Sequence, residues 1–227
     1  MLRDKRFLKF NLLFLTFSLG AAFIAIYYRT GFNLLNLQAD SRIPPVMIWN
    51  IFLALLAYDF AYGLVKVKNF WLQLIFAFLA FLFYPNTFYM LTDSLHFGDW
   101  LQAGHLTFYG TKPMIYFMLL CVAIFFGVAL GLETMRIVLK RFFDNKFFAW
   151  AFIIIMSFLG SIGIFVGRFQ EIRLNSWDIF INPIGTVVKL FAVIQPTNFV
   201  FLASFTLAQI FLIILFWEGN HAVKREP

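Results

Sequence analysis

Two stretches of this chain carry side chains that can do chemistry. The first runs from Tyr84 to His96, Tyr-Pro-Asn-Thr-Phe-Tyr-Met-Leu-Thr-Asp-Ser-Leu-His. Counted at about 100° per residue from Asn86, a continuing helix puts Tyr89 near 300°, Asp93 near 340° and His96 near 280°, so the four share an arc of about 80°. An Asp and a His three apart on one helical face can meet a single ligand. The carboxylate can also hold the imidazole in one tautomer, which suits His96 to general base catalysis. The second stretch, Gly167 to Asp178, adds Arg168, Arg173, Asn175, Trp177 and the carboxylate of Asp178. A guanidinium offers a planar fork of donors that fits a phosphate or carboxylate. The expected site joins the two stretches, with Arg168 paired to Asp93. Asp93, His96 and Asp178 are its candidate catalytic groups; Asn86, Tyr89, Thr92, Arg168, Arg173, Asn175 and Trp177 are its candidate substrate contacts.

The same groups allow other readings. Asp93 and His96, with Asp178 or Asp99, make an oxygen and nitrogen set that suits a divalent cation. An Asp and a His near a helix end more often cap it and pair with an Arg, so no metal site is assigned and the cofactor is left open. Asp59 argues for a different class. It lies inside an apolar stretch between Tyr58 and Tyr62, and an acid at that depth is costly unless neutral or paired. It marks either a proton site, in a proton-coupled transporter of a small solute, or a packing contact. A third reading, a non-enzymatic assembly partner, draws on the Phe-rich surface and on strips of glycine. Whether the chain is an enzyme is left undecided.

Composition decides what must position these residues. Of the 227 residues 62% are apolar and 13% charged, with apolar runs of about a bilayer's thickness, which in water would leave too much apolar surface exposed. The expected fold is all-α, a polytopic transmembrane helical bundle forming a single domain over residues 1–227. Six spans are expected, with a short interfacial or re-entrant helix before the last. A net charge of +7 would suggest nucleic acid in a soluble protein. Here the cations flank apolar runs and read as topology signals and contacts to membrane lipids, so no nucleic-acid partner is expected. The single cysteine, Cys121, excludes an intrachain disulfide and a Cys-based zinc site.

In chain order, Arg3, Lys5, Arg6 and Lys9 precede an apolar run from Phe7 to Tyr28, which is too long for the core of a signal peptide and reads as an uncleaved first span. Pro45 opens the second, which ends before Lys66. The third starts at Phe70. Its fifteen residues to Tyr84 give only about 22 Å of helix against a hydrocarbon core of about 30 Å, so it must continue past Pro85. The proline frees a carbonyl that Asn86 or Thr87 can help satisfy. Pro113 to Leu132 is the fourth span, where Ala123, Gly127 and Gly131 form a strip for close helix approach. Phe147 to Val166 is the fifth and Asn198 to Trp217 the sixth. Between them Ile179 to Gln195 is too short and too broken by proline to cross.

Twelve of the eighteen basic residues fall on the side of the termini and six on the other. By the positive-inside rule both termini are cytoplasmic and both polar stretches emerge on the outer face. The richness in Phe, Lys, Asn and Ile is what AT-rich codons encode and points to a bacterial cell membrane.

Pro85-Asn86-x-x-Tyr89-x-x-Thr92-Asp93-x-x-His96, followed by Gly167-Arg168-Phe169 and Asn175-Ser176-Trp177-Asp178, resembles the DUF1361 family, an uncharacterised family of multi-pass bacterial membrane proteins. The resemblance covers the chain from about Asn50 onward. It implies a multi-pass membrane fold and a site at these motifs, and it supplies no reaction. Position and charge suggest a lipid-linked or anionic envelope substrate on the outer face.

Overall fold

The structure, a computed structural model, describes residues 2–28, 45–95, 97–98, 109–169 and 173–216. Among these, six helices are long and apolar enough to cross a membrane: Lys5–Tyr27, Val46–Lys66, Phe70–Asp93, Thr111–Phe142, Lys146–Arg168 and Pro196–Phe216. The multi-pass, all-helical fold class is as expected. His96, Asp99 and Trp217, all named above, lie outside the described residues. The chain divides into two compact units, Met1–Arg141 and Phe142–Pro227.

The first unit holds α1 (Leu2–Tyr27), α2 (Pro45–Lys66), α3 (Phe70–Phe83), α4 (Pro85–Tyr89), a 3-10 turn (Met90–Asp93) and α5 (Thr111–Phe142). Half of the α2 span is buried, against 11% of the α1 span, so α2 is the core helix and α1 a peripheral one. α2 packs against α1, α3 and α4. Asn69 separates α2 from α3 by capping the latter: its side-chain oxygen accepts from the Trp71 and Leu72 N–H groups at 2.9 and 3.2 Å, two donors that a helix start leaves without internal partners. The core runs through Met47, Ile51, Tyr58, Met90, Tyr116 and Leu120.

α5 runs ten residues past the expected end at Leu132. Glu133 and Arg136, just past that end, form an i,i+3 ion pair, and Ile137 and Leu139 beyond them are buried. At about 48 Å the helix is longer than a hydrocarbon core is thick, so its basic end projects beyond it.

The second unit holds α6 (Lys146–Arg168), α7 (Asp178–Ile181), α8 (Pro183–Ala192), a 3-10 turn (Pro196–Asn198) and α9 (Phe199–Phe216). α6 and α9 pack along each other over a polar seam at mid-helix. The Gln209 amide donates to Ser157 O at 3.0 Å and to Ser161 Oγ at 2.9 Å, and Ser161 Oγ lies 3.1 Å from Thr206 Oγ1. A Cβ on Gly160 would stand 2.7 Å from Gln209 Oε1, so this glycine makes room for the amide. Small residues and side-chain hydrogen bonds join helices where lipid offers no hydrophobic drive.

Candidate functional site

The segment after Tyr84 continues the third span, as its length required, but not as one regular helix. Pro85 starts a new helix, and from here side chains take over part of the backbone pairing. The Asn86 amide donates to Phe83 O at 3.0 Å and the Thr87 hydroxyl to Tyr84 O at 2.8 Å. Thr92 Oγ1 donates to Tyr89 O at 2.7 Å and Ser94 Oγ to Leu91 O at 2.9 Å. Each bond reaches back three residues, the spacing of the 3-10 turn that Met90–Asp93 adopts. Three residues at about 120° instead of 100° carry Asp93 about 60° further round than a continued α-helix would. The strip is no open face: Thr87, Thr92 and Asp93 are buried, and Asn86 and Tyr89 are half-buried.

α5 seats this segment. A Cβ at Gly127 would fall 2.4 Å from Met90 Cγ, and one at Gly131 2.5 Å from Thr87 Oγ1 and 2.8 Å from Phe88 Cε2. The glycine strip expected to allow close approach does so against the chemically rich segment itself.

Asp93, 2% exposed, is turned toward α2, where the Asn50 amide donates to its Oδ2 at 2.7 Å. A charge-assisted bond of this kind fixes a carboxylate's direction. Nearer the end of the bundle stands a cation held by rings. The Lys112 ammonium lies 5.5 Å from the Tyr28 ring centre and 5.9 Å from that of Tyr116, and the two rings meet edge to face at 5.8 Å. Tyr116 precedes Gly127 by about 16 Å of helix, while Asp93 lies only about 6 Å beyond Met90, so the rings sit roughly 10 Å further toward that end than Asp93. The arrangement is a buried, oriented carboxylate beneath a cation at the rim. It can position an anionic head and set an acid-base group below it.

At the opposite end of the unit the Asn11 amide donates to Asp59 Oδ1 at 3.1 Å and to Phe7 O at 3.1 Å, which ties α1 to α2. Arg6 reaches Glu133 at 3.5 Å. Phe7 stacks on Tyr62 with ring centres 4.3 Å apart. Asp59 thus has an amide partner supplied by α1.

In the second unit Arg168 ends α6, and the Leu174 N–H returns to Val166 O at 2.9 Å. Asp178 closes the turn that follows: its Oδ2 accepts from the Asn175 N–H at 2.8 Å while its own N–H donates to Asn175 O at 3.0 Å. The bond to the carboxylate is one half of a capping box, and the other is an ordinary turn bond, so one oxygen of Asp178 is engaged in building the Asn-Ser-Trp-Asp turn. Trp177 is half-buried and Arg173 exposed. Asn86, Tyr89, Thr92 and Asp93 lie in the first unit, and Arg168, Arg173, Asn175, Trp177 and Asp178 in the second. Among the described residues no three His, Cys, Asp or Glu side chains gather as metal ligands.

Sequence reasoning named neither Asn50 as a partner of Asp93 nor the cage of Tyr28 and Tyr116 around Lys112. Asn50 carried a signal, since an amide six residues into an apolar span must bond to something. The cage carried none, because tyrosines at helix ends also form the ordinary aromatic belt. Among curated proteins and solved structures no match is found. Residues 49–212 match the family described as "Protein of unknown function (DUF1361)". That stretch is most of the chain and contains Asn50, Asp93, Lys112 and both motifs, so the chain belongs to this family.

Proposed function

We propose that the chain acts on a lipid-linked or anionic envelope substrate at the outer face of a bacterial cell membrane, with both termini cytoplasmic. The observation that carries this reading is the 2.7 Å bond from Asn50 to Asp93 beneath the ring-held ammonium of Lys112. An ammonium at the rim binds the phosphate or carboxylate of the head, and the offset of roughly 10 Å leaves the carboxylate level with the next groups of an extended ligand. Asp93 then orients His96 or takes up a proton itself.

The transport alternative rests on Asp59. Asn50 and Asp59 stand nine residues apart on α2, which is about 13 Å along the axis and about 180° around it. The two carboxylate stations therefore lie on opposite faces of one helix, and the bond from Asn11 to Asp59 supports a packing role for the second.

Native mass spectrometry of the purified protein with its retained lipids tests the proposal. The expected result is a polyprenyl-phosphate or other phosphorylated glycolipid, retained by Asp59→Asn but lost from Asp93→Asn or Lys112→Gln. Retention of bulk phospholipid alone, with solute uptake by proteoliposomes that Asp59→Asn abolishes, would overturn it in favour of transport.

A further inference from the structure

The second unit carries a helix with three distinct faces. α8 is ten residues long, about 15 Å, or half of a hydrocarbon core. It is set off from α7 by Asn182, whose side-chain oxygen accepts from the Gly185 N–H at 2.9 Å. Counted at about 100° per residue from Pro183, Val187, Phe191, Ile184 and Val188 fall between about 40° and 140°. These four are exposed, Ile184 to 79% and Phe191 to 69%. Thr186 and Leu190, near 300° and 340° on the same count, form the packed side: Thr186 is buried and Leu190 joins the cluster of Phe165, Val193 and Leu202. Lys189 stands about 150° from the centre of the apolar arc and is exposed.

An apolar arc with its cation turned away fits a helix lying along a membrane surface, with the arc in acyl chains and the ammonium among headgroups. A helix dipping into the bilayer would carry Lys189 into hydrocarbon, which is costly. A second cation stands at the same end of the unit. Arg173 is exposed, and the neighbouring Leu174 packs on the cluster that receives Leu190. Among the described residues neither Lys189 nor Arg173 forms an ion pair with a carboxylate.

We infer that α8 is an interfacial platform for anionic phospholipid, with Ile184, Val187, Val188 and Phe191 in the acyl region and Lys189 and Arg173 on the phosphates. This inference does not rest on the reading of Asp93. It also fixes the depth of the Asn175–Asp178 turn, which leads into it within a few residues.

Nitroxides at Ile184→Cys, Val188→Cys, Phe191→Cys, Lys189→Cys and Ala192→Cys, each in a Cys121→Ala background, test the placement in phosphatidylglycerol liposomes. Oxygen should reach the first three best and a water-soluble nickel chelate Lys189→Cys best, with Ala192→Cys, near 180° on the same count and so at the edge of the apolar arc, between them. Depth that varies with position along the helix and not with face would overturn the inference, as would chelate access at all five positions. For the headgroups, native mass spectrometry should show phosphatidylglycerol retained over phosphatidylcholine. Lys189→Gln and Arg173→Gln should each lower that preference about five-fold, the effect of one basic residue at an anionic surface. An unchanged preference in the double variant would refute the phosphate contacts.

Discussion

Replacing Asn50 with leucine removes the amide that holds Asp93 and changes little else in volume. Interhelical hydrogen bonds between side chains in a membrane protein couple by about 0.6 kcal/mol on average, and a carboxylate acceptor roughly doubles a bond's strength, so a coupling of about 1–2 kcal/mol is expected. Asn50→Leu alone should destabilise more, by about 2–3 kcal/mol, because it leaves a carboxylate oxygen buried without that donor. At about 2–4 °C per kcal/mol for a chain of this size the melting temperature should fall by about 4–12 °C. Asp93→Leu should also destabilise, since the Asn50 amide then loses its acceptor. The double variant Asn50→Leu/Asp93→Leu places two apolar groups side by side and should be more stable than the sum of the single losses by the coupling. Thermal unfolding of the four proteins in one detergent reads the cycle. Additivity to within about 0.5 kcal/mol would mean that the 2.7 Å bond contributes nothing, and the oriented carboxylate would lose its basis.

Gly131→Ala puts a methyl 2.5 Å from Thr87 Oγ1 and should destabilise by about 1–3 kcal/mol, read as a lower melting temperature. Gly20→Ala, with nothing within 4 Å of the new methyl, should leave the melting temperature unchanged or slightly raised, since alanine is the better helix former. In a Cys121→Ala background, Gln102→Cys and Asn175→Cys should react with an impermeant maleimide on intact spheroplasts. Reaction only after lysis would reverse the proposed orientation.

How much of this was legible follows from what each feature depends on. Six apolar helices and the passage of the third beyond Pro85 follow from length and hydropathy, because the bilayer sets one thickness for every span. The close seat of α5 followed from spacing alone, since glycines four apart stack on one face. What it receives, the segment around Thr87 and Met90, depends on which helix is its neighbour, and spacing does not choose among neighbours. The turn of Asp93 toward α2 was not legible, because a helical count at 100° per residue assumes one winding and names no neighbour. Four bonds reaching back three residues, from Asn86, Thr87, Thr92 and Ser94, lie on either side of and within the tightened winding at Met90–Asp93. Each of these side chains taken singly is compatible with an ordinary helix, so the change of winding is a property of their sum.

The asparagines carry the argument one step further, because position separates their roles. Asn69, Asn145 and Asn182 directly precede helices and cap them, as a short polar side chain before an apolar run should. Asn11 and Asn50 lie inside apolar spans, where no free N–H awaits a cap and the amide must find a partner across the bundle. The first three spans hold two acids, Asp59 and Asp93, and hence two ways to match them. Alternating topology decides between the ways. Asn11 is in the first half of α1 and Asp59 in the second half of α2; Asn50 is near the start of α2 and Asp93 at the end of the third span. Neighbouring spans run in opposite directions, so early positions in one lie level with late positions in the next. Depth alone pairs Asn11 with Asp59 and Asn50 with Asp93, the two bonds the structure contains. Both carboxylates are thereby tied to a neighbouring span at its own level, and only Asp93 lies at the end of the bundle that also carries Lys112.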